Sequence, residues 1–176
     1  VARPMRESRA SRQRTRTDPV GTAAEPKSLA SEREHDQMKE KFIIHDQLLT
    51  DCFRLGQLEA CHVLLHRNAA VPWFILVPET GFQDLLDLPA EERDRIVAEA
   101  AALSAFVKSS LGYPKVNFAA IGNLVPQLHL HVVGRKPGDA CWPAPVWGNL
   151  TESVDYTSTQ VTDIRRALET ILALRS

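Results

Sequence analysis

No stretch of this 176-residue chain approaches the ~20 consecutive apolar residues that a membrane-spanning helix requires, and the apolar stretches at residues 71–77 and 128–133 are strand-sized. A secretory h-region is also missing near the start. Cysteine is scarce. Cys52, Cys61 and Cys141 are odd in number and widely spaced, with neither a CxxC pair nor a zinc-ligand spacing among them. That argues against a disulfide framework and a structural zinc site, and for buried thiols in a reducing compartment, cytoplasmic or mitochondrial matrix. Net charge is nearly absent too, at −1, but the balance conceals an asymmetry. Residues 1–16 carry Arg3, Arg6, Arg9, Arg12, Arg14 and Arg16 against the single acid Glu7, so the whole-chain charge says little about partners. What is present, 44% hydrophobic and 24% charged residues, suits one soluble domain with a single core. The first residue is Val1 rather than Met, as expected of a processed, trimmed or partial chain.

Two regions follow from the patterning. Residues 1–33 lack hydrophobic periodicity and cannot bury enough apolar surface alone to offset their ordering entropy. They read as an extended or partner-bound extension: an organelle-targeting remnant, an arm for RNA or an acidic protein surface, or a solvated tail. Residues 34–176 read as the folded domain. Ser31 and Glu34 have capping-box spacing, which predicts a short exposed helix over 31–40. Strands are expected at 58–66, 73–77, 115–121 and 127–135, the first two joined closely enough to form an antiparallel pair. Residues 89–111 should form the longest helix. Pro89, Glu91 and Glu92 suit its start, Ile96, Val97, Ala100, Leu103, Phe106, Val107 and Leu111 make an apolar stripe, and Gly112 follows as a stop. A second amphipathic helix is expected over 158–174. The sum is α+β: a central antiparallel sheet of about four to five strands, with one long helix and a C-terminal helix packed on it.

The chemistry-bearing segment is Gln127-Leu128-His129-Leu130-His131-Val132-Val133. Side chains alternate in a strand, so Gln127, His129 and His131 project together while Leu128, Leu130 and Val132 anchor the other face. Spacing alone leaves four readings of such a pair: solvated residues on an open face, a metal site, buried structural histidines, or catalysis. No Asp, Glu or Cys lies close by in sequence to complete a metal site.

The longer run Gly122-Asn123-Leu124-Val125-Pro126-Gln127-Leu128-His129-Leu130-His131-Val132-Val133-Gly134-Arg135 resembles the histidine-triad family, in a bacterial-type branch whose strand reads Pro-Gln-Leu-His-x-His-Val. Pro72-Trp73-Phe74-Ile75-Leu76-Val77-Pro78 resembles the Pro-Trp-Leu-Ile-Leu-Val-Pro segment of that branch, and Trp142-Pro143-Ala144-Pro145-Val146-Trp147-Gly148 its Trp-Pro-x-Pro-Val-Trp-Gly loop. The similarity spans roughly residues 42–148. Several segments matching in order make it specific.

The resemblance implies nucleotidyl transfer to water without a cofactor. His129 would attack the α-phosphorus of a purine nucleotide or adenylated compound, forming a nucleotidyl-histidine that water hydrolyses. His131 would donate to a phosphate oxygen. Gln127 stands where the family's first motif histidine would be, and would orient a neighbour without carrying a proton. Asn68 falls at the family's acidic ribose-binding position; Asn117 and Asn123 are further candidate substrate contacts, with turn formation the competing reading for all three. His62 and His66 are expected to be ordinary strand residues, and Trp142 and Trp147 to pack the later loop, base stacking being the alternative. A homodimer is implied, which the long helix could help form. The competing reading is a non-catalytic accessory subunit of a large assembly, mitochondrial in one version, anchored by its arginine arm.

Overall fold

The computed structural model describes residues 42–176. The arginine-rich extension, the boundary at residue 34 and the helix expected over 31–40 lie outside them. Element order is α1 (Asp46–Asp51), β1 (Cys52–Gln57), β2 (Cys61–His66), β3 (Trp73–Pro78), a 3-10 turn (Leu85–Asp87), α2 (Ala90–Ser109), β4 (Lys115–Ala119), β5 (Leu130–Arg135) and α3 (Ser158–Leu172). The five strands form one sheet in the order β1-β2-β3-β5-β4, every neighbouring pair antiparallel. This is the expected α+β architecture.

Strand alternation sorts the core. Val63, Leu65, Phe74, Leu76, Leu130 and Val132 face α2 and α3, where they meet Ile96, Ala100, Leu103, Phe106, Val107 and Leu168. Burial of each large side chain contributes ~1.5–3 kcal/mol, so this layer supplies most of the driving force. On the opposite face Leu64, Ile75 and Val77 pack under Ile44, Leu48, Cys52 and Val125. Cys52 and Cys61 are buried free thiols and Cys141 is half-buried. Burial pushes the Cys52 thiol up to about 12, which keeps it protonated and inert.

Helix α2 begins one residue after Pro89, whose carbonyl accepts from Arg93 N–H at 3.0 Å. Val97, placed on the apolar stripe by its spacing, is instead 42% exposed. Helix α3 opens with a reciprocal capping box between Thr157 and Gln160 and stops at Leu172, two residues before the expected end. There Ala173 turns left-handed, and Arg175 pairs with Gln57 through two backbone hydrogen bonds of 2.7 and 2.8 Å. The C-terminus thus covers the outer edge of β1. Gly56 permits this, because a Cβ there would collide with the Arg175 carbonyl.

The strands depart from expectation in four places, and β4 ends at Ala119 rather than at residue 121. β1 was not anticipated, since a register shift between Arg54 and Gly56 breaks its alternation. β2 starts at Cys61 rather than Leu58, because Leu58 N–H donates to Cys61 O and closes a turn. β5 starts at Leu130 rather than Gln127: its partners run out at Leu76 on β3 and, opposite His131, at Ala119 on β4. The two-face alternation survives regardless, with Leu128 buried in the helix-side core and His129 on the other face.

Candidate functional site

A cleft of about 470 Å³ lies on the sheet face opposite α2 and α3. Its volume falls within the range of small-molecule sites. His129, His131, Ile75, Trp73 and His66 come from the sheet side; Gln47, Leu48 and Asp51 from α1; residues 121–125 from the loop before β5; Trp147 from the later loop. Register explains the gathering. Ile75 stands opposite His131, and Trp73 opposite Val133, so the indole is a diagonal neighbour of His131 on the same face.

The two motif histidines are held differently. His129 Nδ1 lies 2.7 Å from the main-chain carbonyl of Gln127. A carbonyl only accepts, so Nδ1 carries the proton and Nε2 of the neutral ring keeps its lone pair. His131 Nδ1 instead accepts from the indole N–H of Trp73 at 3.0 Å. The rings are 4.9 Å apart and nearly perpendicular, at 81°. Burial pushes His131 down to about 3, with His129 and His66 adding to the effect. His66 is lowered by burial as well, opposed by the Asp51 charge.

Aromatic contacts clamp the cleft wall. Trp73 stacks on His66 at 4.6 Å and 15°, while Trp147 meets it edge-on at 5.9 Å. Trp147 also meets His131 at 5.5 Å. Its loop is tied to the end of β5 by the buried pair Arg135–Asp139. Gly134 lets this region close: a Cβ there would come within 2.6 Å of Pro72 and 2.8 Å of Val107.

Of the residues singled out by sequence, His129, His131, Asn123 and Trp147 line the cleft. Asn68 and Asn117 do not. Asn68 fastens the C-terminal segment: Nδ2 donates to Glu152 O at 2.7 Å, and Oδ1 accepts from Ala70 and Val154 N–H at 3.0 and 3.1 Å. Asn117 Oδ1 accepts from Arg135. The Gln127 side chain holds neither histidine; Oε1 accepts from His45 N–H and Nε2 donates to Ile43 O, which pins residues 43–45 beside the cleft. Its main-chain carbonyl is what orients His129.

Residues missed by sequence reasoning are Asp51, Gln47, His66 and Trp73. The first two ride on α1, too short to show a period. His66 was visible in principle, since it shares the face of His62 and Leu64 and the tight β2–β3 hairpin brings it to Trp73. Among the described residues, no lysine or arginine lines the cleft, and no group of three or more His, Cys, Asp or Glu side chains is arranged to hold a metal ion.

The family model described as the HIT domain matches residues 48–138. A histidine triad protein of Marinobacter aquaeolei is similar at 41% identity over 75% of this chain and 96% of its own, with a TM-score of 0.70. One from Bradyrhizobium japonicum is 34% identical over 74% and 98%, also at 0.70. Another from Sinorhizobium meliloti is 29% identical over 75% and 98%, at 0.71. No curated protein sequence matches the chain.

Proposed function

From the premise that the chain belongs to the HIT domain family, we propose that it binds a purine nucleotide in this cleft and hydrolyses or transfers it at the α-phosphate through a nucleotidyl-histidine. The carrying observation is the bond between His129 Nδ1 and the Gln127 carbonyl, which leaves the Nε2 lone pair free for attack. Nε2 forms a bond to phosphorus as the bond to the leaving group breaks. Water then attacks the same phosphorus, the P–N bond breaks, and the ring recovers its electron pair. His131 donates from Nε2 to a phosphate oxygen as charge develops. Asn123 supplies a polar contact from the loop, and the apolar wall of Leu48, Ile75 and Val125 suits a base.

Substrates of this class are nucleotide phosphoramidates, dinucleoside polyphosphates and similar adenylated compounds. Turnover of adenosine phosphoramidate or diadenosine polyphosphate, with AMP binding, is the test; purified protein that does neither refutes the reading. The arginines within residues 1–16 motivate a second reading: an accessory subunit of a large assembly, in the cytoplasm or mitochondrial matrix, anchored on RNA or an acidic protein surface. Crosslinking from the arm decides that point.

A homodimer is part of the same proposal. The C-terminus covers β1, whereas β4 is the other edge of the sheet. Beside it Val97, Ala101, Val116 and Phe118 line an apolar groove against α2, with Phe118 46% exposed. A second copy of β4 pairing across a two-fold axis would cover both. Sedimentation of the Phe118→Asp variant as a monomer, against a dimeric native protein, supports it; a monomeric native protein refutes it.

A further inference from the structure

We propose that Trp73 is the positioning residue that sets the proton arrangement of His131: by donating its indole N–H to Nδ1, it holds the neutral tautomer whose one proton is on Nε2. Indole has a donor and no acceptor, so a ring nitrogen 3.0 Å from Nε1 along that bond must present a lone pair. Protonation of Nδ1 would set two N–H groups against each other. His129 faces the reverse condition, a partner that can only accept. Adjacent imidazoles in one segment are thereby driven into opposite tautomers, one with a bare Nε2 and the other with a protonated Nε2.

The indole is held for this task. His66 stacks on one side of it, and His66 is itself fixed, its Nδ1 accepting from Asn68 N–H at 3.2 Å. Trp147 closes on the indole edge-to-face. The groups that face His131 can then be named element by element. β3 contributes Trp73 and Ile75, β4 contributes Ala119, β2 contributes His66, α1 contributes Asp51 and Gln47, the residues before β5 contribute His129 and Asn123, and the later loop contributes Trp147. Asp51 is the one carboxylate among the residues lining the cleft, and His129 and His66 oppose a second positive charge. Burial acts in the same direction as the indole.

The consequence rests on the function proposed above: a donor to phosphate oxygen is available without a charged imidazole. The tautomer itself does not depend on that function. The deciding experiment is long-range proton–nitrogen correlation NMR on ligand-free protein labelled with ¹⁵N-histidine, from pH 5 to 8, with His131→Gln used for assignment. His131 should show a bare Nδ1 and a protonated Nε2 throughout, and the Trp73 indole proton should exchange slowly. In Trp73→Phe, Nδ1 should move toward the protonated range and the ring should titrate nearer its ordinary pH. Turnover of adenosine phosphoramidate should fall about 2- to 12-fold at pH 7, the worth of one hydrogen bond.

A protonated Nδ1 in native protein overturns the proposal, as does a folded Trp73→Phe variant with native tautomer and titration. If that variant does not fold, the native spectrum decides alone. Native protein with the stated tautomer and no turnover refutes the hydrolase and supports the inference. An active native protein with the wrong tautomer refutes the inference only.

Discussion

Replacing Asp139 by Ala should be among the most damaging single changes outside the cleft. Arg135 and Asp139 side chains are each 1% exposed and bonded in two places, Nε to Oδ2 at 2.8 Å and Nη2 to Oδ1 at 3.0 Å. The carboxylate also accepts from the backbone N–H groups of Lys136 and Cys141. Asp139→Ala removes all four bonds and leaves a guanidinium buried against Asn117 and Trp142. An orphaned buried charge costs about 3–5 kcal/mol, a large share of the ~5–15 kcal/mol that holds a typical domain folded.

The signature is non-additivity. Arg135→Met with Asp139→Leu removes both charges and should cost less than Asp139→Ala alone. Urea denaturation monitored by tryptophan fluorescence, compared at unchanged m, gives both values. Acid adds a second check. The Arg135 guanidinium, hydrogen-bonded to Asp139, holds that carboxyl down to about 2. A carboxyl lowered in the folded state contributes stability above its unfolded pKa of about 4, which is lost as pH falls toward 2. That limb should vanish in Asp139→Asn. A cost below ~1 kcal/mol for Asp139→Ala, or a double variant worse than the sum of its singles, refutes the reasoning.

Three further outcomes are expected. His129→Ala should abolish turnover while leaving AMP affinity measurable by calorimetry, whereas Gln127→Ala should only weaken turnover and cost about 1–2 kcal/mol through loss of its bonds to Ile43 and His45. Asn68→Ala should cost about 2–3 kcal/mol for three hydrogen bonds and leave AMP affinity within about twofold; a large affinity loss in folded protein would restore the ribose-contact reading. His131, His66 and His62 are all lowered by burial, so the unfolded chain binds more protons than the folded one below about pH 6.5. Stability should therefore be complete above that pH and fall as pH drops toward 3, a slope that thermal melts of His131→Gln should show reduced.

The long elements were readable because they satisfy their rules locally. α2 and α3 are 20 and 15 residues long, enough for a stripe and a recognisable start. β3 is a continuous apolar run, β2 is apolar but for His62 and His66, and a short loop joins them. β1 failed for a physical reason: its bulge buries Leu55 and Gly56 in succession, and its edge is covered by Arg175 from the far end of the chain. No window of neighbouring residues contains that partner. α1 is six residues long and takes its place from packing Leu48 under the sheet.

The cleft divides along the same line. Alternation is local and put His129 and His131 on one face, and resemblance to the histidine-triad strand singled them out, but the partners that distinguish them are not local. Residue type also misled at the asparagines, where Asn68 and Asn117 spend their amides fastening loops. The histidine partners differ in kind as well as in place. His129 is oriented by a main-chain carbonyl, which any residue at position 127 would present. His131 is oriented by a side-chain N–H, which only a donor of indole reach at position 73 supplies. On the proposal above, the bare nitrogen of His129 should therefore tolerate change at Gln127, while the protonated nitrogen of His131 should not tolerate loss of Trp73. Two imidazoles of one motif are set apart by a carbonyl two residues away and an indole on the neighbouring strand.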